Sequence, residues 1–166
     1  MAIRYRSVLK WVLYSAGFLL VMLLSTVILG DRRFWGTKLS LVPVYVSCVS
    51  CREGHEAGGF FALASALLWT LSGAEGGAVF VLMLPVAAVI SGFFCNTYLT
   101  RTLLPALAGC LLALVLCEGG VYVQRVYMGA AMPPDAPVLL TLQILLSLAA
   151  GPLFWWLTRL IGKAGD

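Results

Sequence analysis

The stretch from Trp11 to Leu29 carries no charged residue. As a helix rising 1.5 Å per residue, it crosses a hydrocarbon layer of ~30 Å. Further apolar stretches come after it, separated by short polar joints, and this alternation decides what the chain can fold into. Of the 166 residues, 61% are hydrophobic and 11% are charged. Soluble domains carry about a quarter charged residues. So much apolar surface has no place to hide in water, so lipid is the expected solvent. The sequence therefore predicts an all-α, polytopic membrane bundle of about six transmembrane helices. It forms one integral membrane domain over residues 1–166, because no polar stretch is long enough for a second.

The first expected span is Trp11–Leu29, flanked by Arg4, Arg6 and Lys10. Because the apolar stretch is long and no A-x-A cleavage site comes after it, the first span is read as retained. A polar loop, Gly30–Lys38, leads to the weakest span, Leu39–Cys51. This one reaches only ~20 Å as a helix and is read as a short span or a re-entrant segment. The third span, Ala57–Leu71, is rich in small residues. It turns through Ser72–Gly77 into the fourth, Ala78–Cys95, where Pro85 is expected to kink the helix. After the polar break Asn96–Thr102, the fifth span runs from Leu103 to about Tyr122, with Thr102 as its expected N-cap. The rigid turn Ala131–Pro137 offers Asp135 as N-cap for the sixth, Val138–Ile161, where Pro152 predicts a kink. Trp155 and Trp156 suit an interfacial belt, and Arg159 and Lys163 can snorkel at its end.

Six spans would put both termini on one side. Lys and Arg residues number seven on the side of the termini and four on the other, which favours cytoplasmic termini. The net charge of +4 lies at the ends of apolar stretches, as a topology signal does, and does not point to nucleic acid.

Two polar features stand out inside this pattern. In "CVSCREGHE", Cys48, Cys51 and His55 would share one stripe of a continuous helix, as a metal or redox site requires. Against this, the chain has one histidine, no second CxxC, and a glycine, Gly54, within the stretch. A polar hairpin turn with incidental cysteines is the preferred reading, and no metal or cofactor is expected. All five cysteines sit in apolar sequence, as small hydrophobes do. Glu118, in "VLCEGG", is the second feature. A carboxylate deep in lipid costs roughly 2.5–3.5 kcal/mol and usually faces a partner, a cavity or a relay. The alternative ends the fifth span near Cys117 and leaves Glu118 at the headgroups. Gly54–Gly58 and Gly73–Gly77 have GxxxG spacing but overlap turns. No HExxH, GxSxG or phosphate loop is present, so catalysis is the least favoured class.

From the second span onward the chain resembles the bacterial rod shape-determining MreD family. The likeness begins at "LVPVYVSCVSCREGHEAGGFFALASALLWTLSGAEG", residues 41–76, through Pro43, Glu53, Gly54, Gly58, Leu67, Leu68, Trp69, Leu71, Ser72 and Gly73. It continues in "GFFCNTYLTRTLLPALAGCLLALV", residues 92–115, and covers about half the chain. Thr70 stands where the family tends to carry an acidic residue. The resemblance implies a non-catalytic scaffold of the peptidoglycan elongation complex in the bacterial cytoplasmic membrane. It would bind an MreC-like protein and, through it, influence MreB filaments, RodA and a penicillin-binding transpeptidase. The residues expected to meet a partner are Glu53, Gly54, Gly58, Ala62, Ala66, Trp69 and Glu118. A different class remains as the alternative: the substrate-binding membrane subunit of a vitamin-type, energy-coupling-factor importer. Such a subunit would need several polar residues converging on a ligand.

Overall fold

A computed structural model of the chain describes residues 2–28, 37–73, 77–97, 102–130 and 133–165, with the side chains of 2–7, 28 and 163–165 left out. The loop arginines Arg32 and Arg33, Arg101, the centres of the turns at 74–76, 98–101 and 131–132, and the side chains of Arg4, Arg6 and Lys163 lie outside that description. Among the described residues, seven α-helices account for the fold: α1 (Ala2–Leu23), α2 (Val42–Glu53), α3 (His55–Leu71), α4 (Gly77–Thr97), α5 (Leu103–Tyr127), α6 (Ala136–Leu148) and α7 (Gly151–Gly165). α1 ends in a π-helical turn, Leu24–Ile28.

Four of the described segments are long and apolar enough to cross a membrane: Val8–Val27, Gly77–Thr97, Leu103–Tyr127 and Ala136–Gly162, the last formed by α6 and α7 together. This defines the class as an all-helical membrane protein. The expected second and third spans fall short of that length. α2 has 12 residues and α3 has 17, so they rise only ~18 Å and ~26 Å.

α2 is short because of its punctuation. Pro43 sits in its first turn, where a missing N–H costs nothing. Gly54 ends it with φ +102°, a conformation other residues rarely adopt. The chain reverses there, and α3 starts at the next residue. Val, Ser and Cys are mediocre helix formers, so tertiary contact must hold α2. Every residue from Leu41 to Cys51 is buried, with α1, α3, α4, α5 and α7 packed around it.

The segment 37–41 preceding α2 is not helical, although its apolar character places Leu39–Leu41 in the second span. Thr37 and Leu41 are buried nonetheless. Irregular backbone inside a membrane bundle needs partners for its polar groups. Ser40 finds one, its N–H donating to Ser147 Oγ at 2.9 Å. Ser147 lies in the last turn of α6, beside the Ala149–Ala150 interruption that separates α6 from α7. The expected kink near Pro152 is thus a full break, with Pro152 in the first turn of α7. α4, by contrast, runs unbroken through Pro85.

Close approach depends on glycine at two contacts above all. A Cβ on Gly58 of α3 would sit 2.6 Å from Ser50 Cα, and one on Gly92 of α4 would sit 2.9 Å from His55 Cα. Ser50 also donates its hydroxyl to the Ala88 carbonyl of α4. Small and weakly polar residues therefore line the centre, while Phe60, Leu67, Leu71, Leu82 and Leu104 face outward. Tyr14, Phe18, Leu84 and Leu114 share that interior, so apolar side chains lie both inside and outside, as expected where lipid tails are as apolar as leucine.

Candidate functional site

Two short contacts bring both ends of the chain together. Lys10 of α1 meets Glu53 at the end of α2, and Gly162 of α7 lies against the Arg52 guanidinium. Gly54 also lies beside Asn96 in the last turn of α4: a Cβ there would be 3.0 Å from Asn96 Nδ2. The start of α1, the end of α2, the start of α3, the end of α4 and the end of α7 thus share one charged end of the bundle. Adjacent helices alternating in direction produce this arrangement.

Glu53 is the centre of one half of that end. Its Oε2 lies 2.6 Å from Lys10 Nζ, with 19% of the Lys10 side chain and 11% of the Glu53 side chain exposed. Tyr14 donates its hydroxyl to Glu53 Oε1 at 2.8 Å. Tyr45 of α2 donates in turn to the Tyr14 carbonyl at 3.0 Å. α1 is therefore seated on α2 by a chain of three polar contacts. Sequence reading singles out Glu53 but misses Lys10, Tyr14 and Tyr45. A carboxylate and a lysine 43 positions apart leave no local spacing signal.

The other half of the charged end is a cavity of about 380 Å³ lined by Arg52, Thr102, Leu103, Trp155 and Arg159. Arg52 and Glu53 are consecutive, so their side chains leave α2 about 100° apart. One turns toward α5 and α7 and the other toward α1.

The other expected site residues fall into place separately. Gly54 is the joint itself. Gly58, Ala62 and Ala66 are buried, and the small face of α3 is occupied by the chain's own helices, with Gly58 on Ser50. Trp69 stacks on Phe80 of α4 with centroids 6.1 Å apart, pinning the α3–α4 hairpin. Thr70 donates to the Ala66 carbonyl of its own helix. Glu118 is half-buried, and α5 continues past it to Tyr127 instead of ending near Cys117. It lies ~23 Å along the helix from Leu103. Gly120 lies against Val79 and Met83 in the first two turns of α4.

Cys48, Cys51 and His55 do not converge. The helix breaks at Gly54, and the exposed His55 stacks edge-on against Phe93 at 5.9 Å. The cysteines instead pair across helices. Cys51 meets Cys95 of α4 at 2.8 Å, and Cys48 meets Cys110 of α5 at 3.5 Å. All are free thiols. Their separation in sequence hides both pairs. Thr102 and Asp135 occupy the expected N-cap positions, but neither side chain makes a cap hydrogen bond.

No family model, no curated protein and no solved structure matches the chain. The fold and the charged end thus define a class, a helical membrane protein with a filled centre.

Proposed function

We propose that the chain is a non-catalytic membrane scaffold of the bacterial peptidoglycan elongation complex, docking the membrane helix of an MreC-like protein. The observation that carries this reading is the occupied centre. α2 fills the middle of the bundle, packed by five helices, and ten consecutive α2 residues are buried there. That weighs for a scaffold over a vitamin-type importer subunit. The sequence likeness at Pro43, Glu53, Gly54 and Trp69 is the ground for proposing this family.

Since the small-residue face of α3 is covered within the molecule, docking falls to its outward ridge. Phe60, Leu63, Leu67 and Leu71 recur at helical spacing there, with Phe60 77% and Leu71 82% exposed. A partner helix laid along this ridge would gain contact area without disturbing the bundle. In this reading all six passes lie in the bacterial cytoplasmic membrane, and the charged end faces the cytoplasm. The close approach of Lys10 and Gly162 to neighbouring residues of α2 supports termini on a common side. Influence on MreB filaments, RodA and a penicillin-binding transpeptidase would pass through the partner.

The test is co-purification in mild detergent. A tagged chain should retain an MreC-like protein with one span and a coiled coil. Phe60→Ala with Leu71→Ala should cut recovery at least about fivefold while leaving the elution profile unchanged. Absence of the partner, with both proteins well expressed, defeats the proposal.

A further inference from the structure

We propose that the cavity between α2, α5 and α7 is a phosphate-binding site, and that its occupant is the headgroup of an anionic phospholipid. This goes beyond the scaffold reading and does not rest on it.

The cavity brings two guanidinium groups, Arg52 and Arg159, to one wall. Among the described residues neither has an ion-pair partner. The nearest carboxylate in sequence, Glu53, turns toward α1 and is engaged there by Lys10 and Tyr14. Two like charges facing one partly enclosed space repel each other, and an anion between them removes that repulsion. Arginine forks match phosphate oxygens in geometry.

A third contribution comes from α5. Its first backbone N–H groups have no acceptor within the helix, and Thr102 makes no side-chain bond to them. Thr102 and Leu103, at this positive end of the helix, line the same cavity.

α7 packs closely over Arg52. The guanidinium lies against Gly162, where any Cβ would collide with its Nε, Cζ and Nη2. Glycine at this point lets α7 cover the arginine without displacing it.

The apolar part of the lining selects the source of the phosphate. Leu103 and Trp155 complete the wall, at the end of the bundle where the apolar segments stop. A headgroup phosphate could enter there while its acyl chains run down the outside of α7, along the exposed Leu153, Trp156 and Leu160. Basic pockets between helices at a bilayer surface are suited to such headgroups. The volume of about 380 Å³ accommodates a phosphate with its glycerol.

The test uses the full chain in neutral detergent, titrated with phosphatidylglycerol, phosphatidylcholine or inorganic phosphate and read by native mass spectrometry. The expected result is retention of one phosphatidylglycerol at concentrations where phosphatidylcholine is not retained. Arg52→Gln with Arg159→Gln should weaken it about thirtyfold, each basic group contributing about fivefold. Arg159 is exposed, so Arg159→Gln alone leaves the fold intact and should cost about fivefold. Gly162→Ala should weaken retention by displacing Arg52, while Arg125→Gln, at the far end of α5, should not. Arginine-dependent retention of inorganic phosphate without lipid preference would overturn the lipid assignment in favour of a free anion. Equal retention of both lipids, or indifference to both arginine substitutions, would overturn the site.

Discussion

α1 and α2 are neighbours in sequence and opposites in construction. α1 is long, leucine-rich and mostly exposed, touching the bundle through Tyr14, Phe18 and Val21 at four- and three-residue spacing. α2 is the shortest of the described α-helices and holds two serines and two cysteines, yet it is the most enclosed. In water the more apolar helix would be the core. In lipid, apolarity does not drive a helix inward, because the outside is equally apolar. What draws α2 in is fit and polarity: small side chains, Ser50 on the Ala88 carbonyl, Tyr45 on Tyr14, and thiols paired across helices.

The sharpest way to break this contrast is to enlarge the contact that lets α3 reach α2. Gly58→Leu places a side chain against Ser50 backbone atoms, and should cost about 3 kcal/mol, the upper end of the overpacking range. Thermal unfolding in detergent measures it, and an unchanged midpoint would mean α2 is not tightly enclosed. Glu53→Gln should have a smaller and more local effect. It leaves Lys10 without its counter-ion and weakens the Tyr14 bond. A cost of about 1–2 kcal/mol is expected, between exposed and buried pairs. Hydrogen exchange should then rise in α1 and stay unchanged in α3 to α5; a uniform rise would show that α1 is integral to the core. Leu20→Ala, on the outward face of α1, should shift stability by less than about 0.5 kcal/mol. A larger loss would show that this face is covered by something other than lipid or detergent.

The same contrast explains how much can be read from the residues alone. α1, α4, α5 and the α6–α7 pair are legible because a continuous apolar stretch of membrane length has one solution. The joint at Gly54 is legible from a glycine between two apolar stretches. The helical extent of the second span is not. Leu39–Leu41 is as apolar as the helix after it, and the Ser40–Ser147 hydrogen bond that accompanies its non-helical course joins segments far apart in sequence. The break at Ala149–Ala150 is half legible, since Pro152 flags a disturbance without setting its size. The charged end is the least legible part. Arg52 and Glu53 look like one polar turn in sequence, but α2 sends one toward α7 and the other toward α1. Which residues share a cavity depends on helix rotation, and apolar periodicity is weakest in a helix buried on every side.

The enclosure of α2 bears on how the protein is made. A ribosome delivers this segment second, before α4, α5 and α7 exist. At that stage its hydroxyls and the unwound stretch at 37–41 have none of their eventual neighbours. Ser47, whose hydroxyl has no partner among the described residues even in the finished molecule, would be worse placed still. At 12 residues, α2 is too short to cross a bilayer as a helix by itself. Because α7 packs on both α1 and α2, their final packing requires the end of the chain, and premature termination should leave an unassembled fragment for membrane proteases.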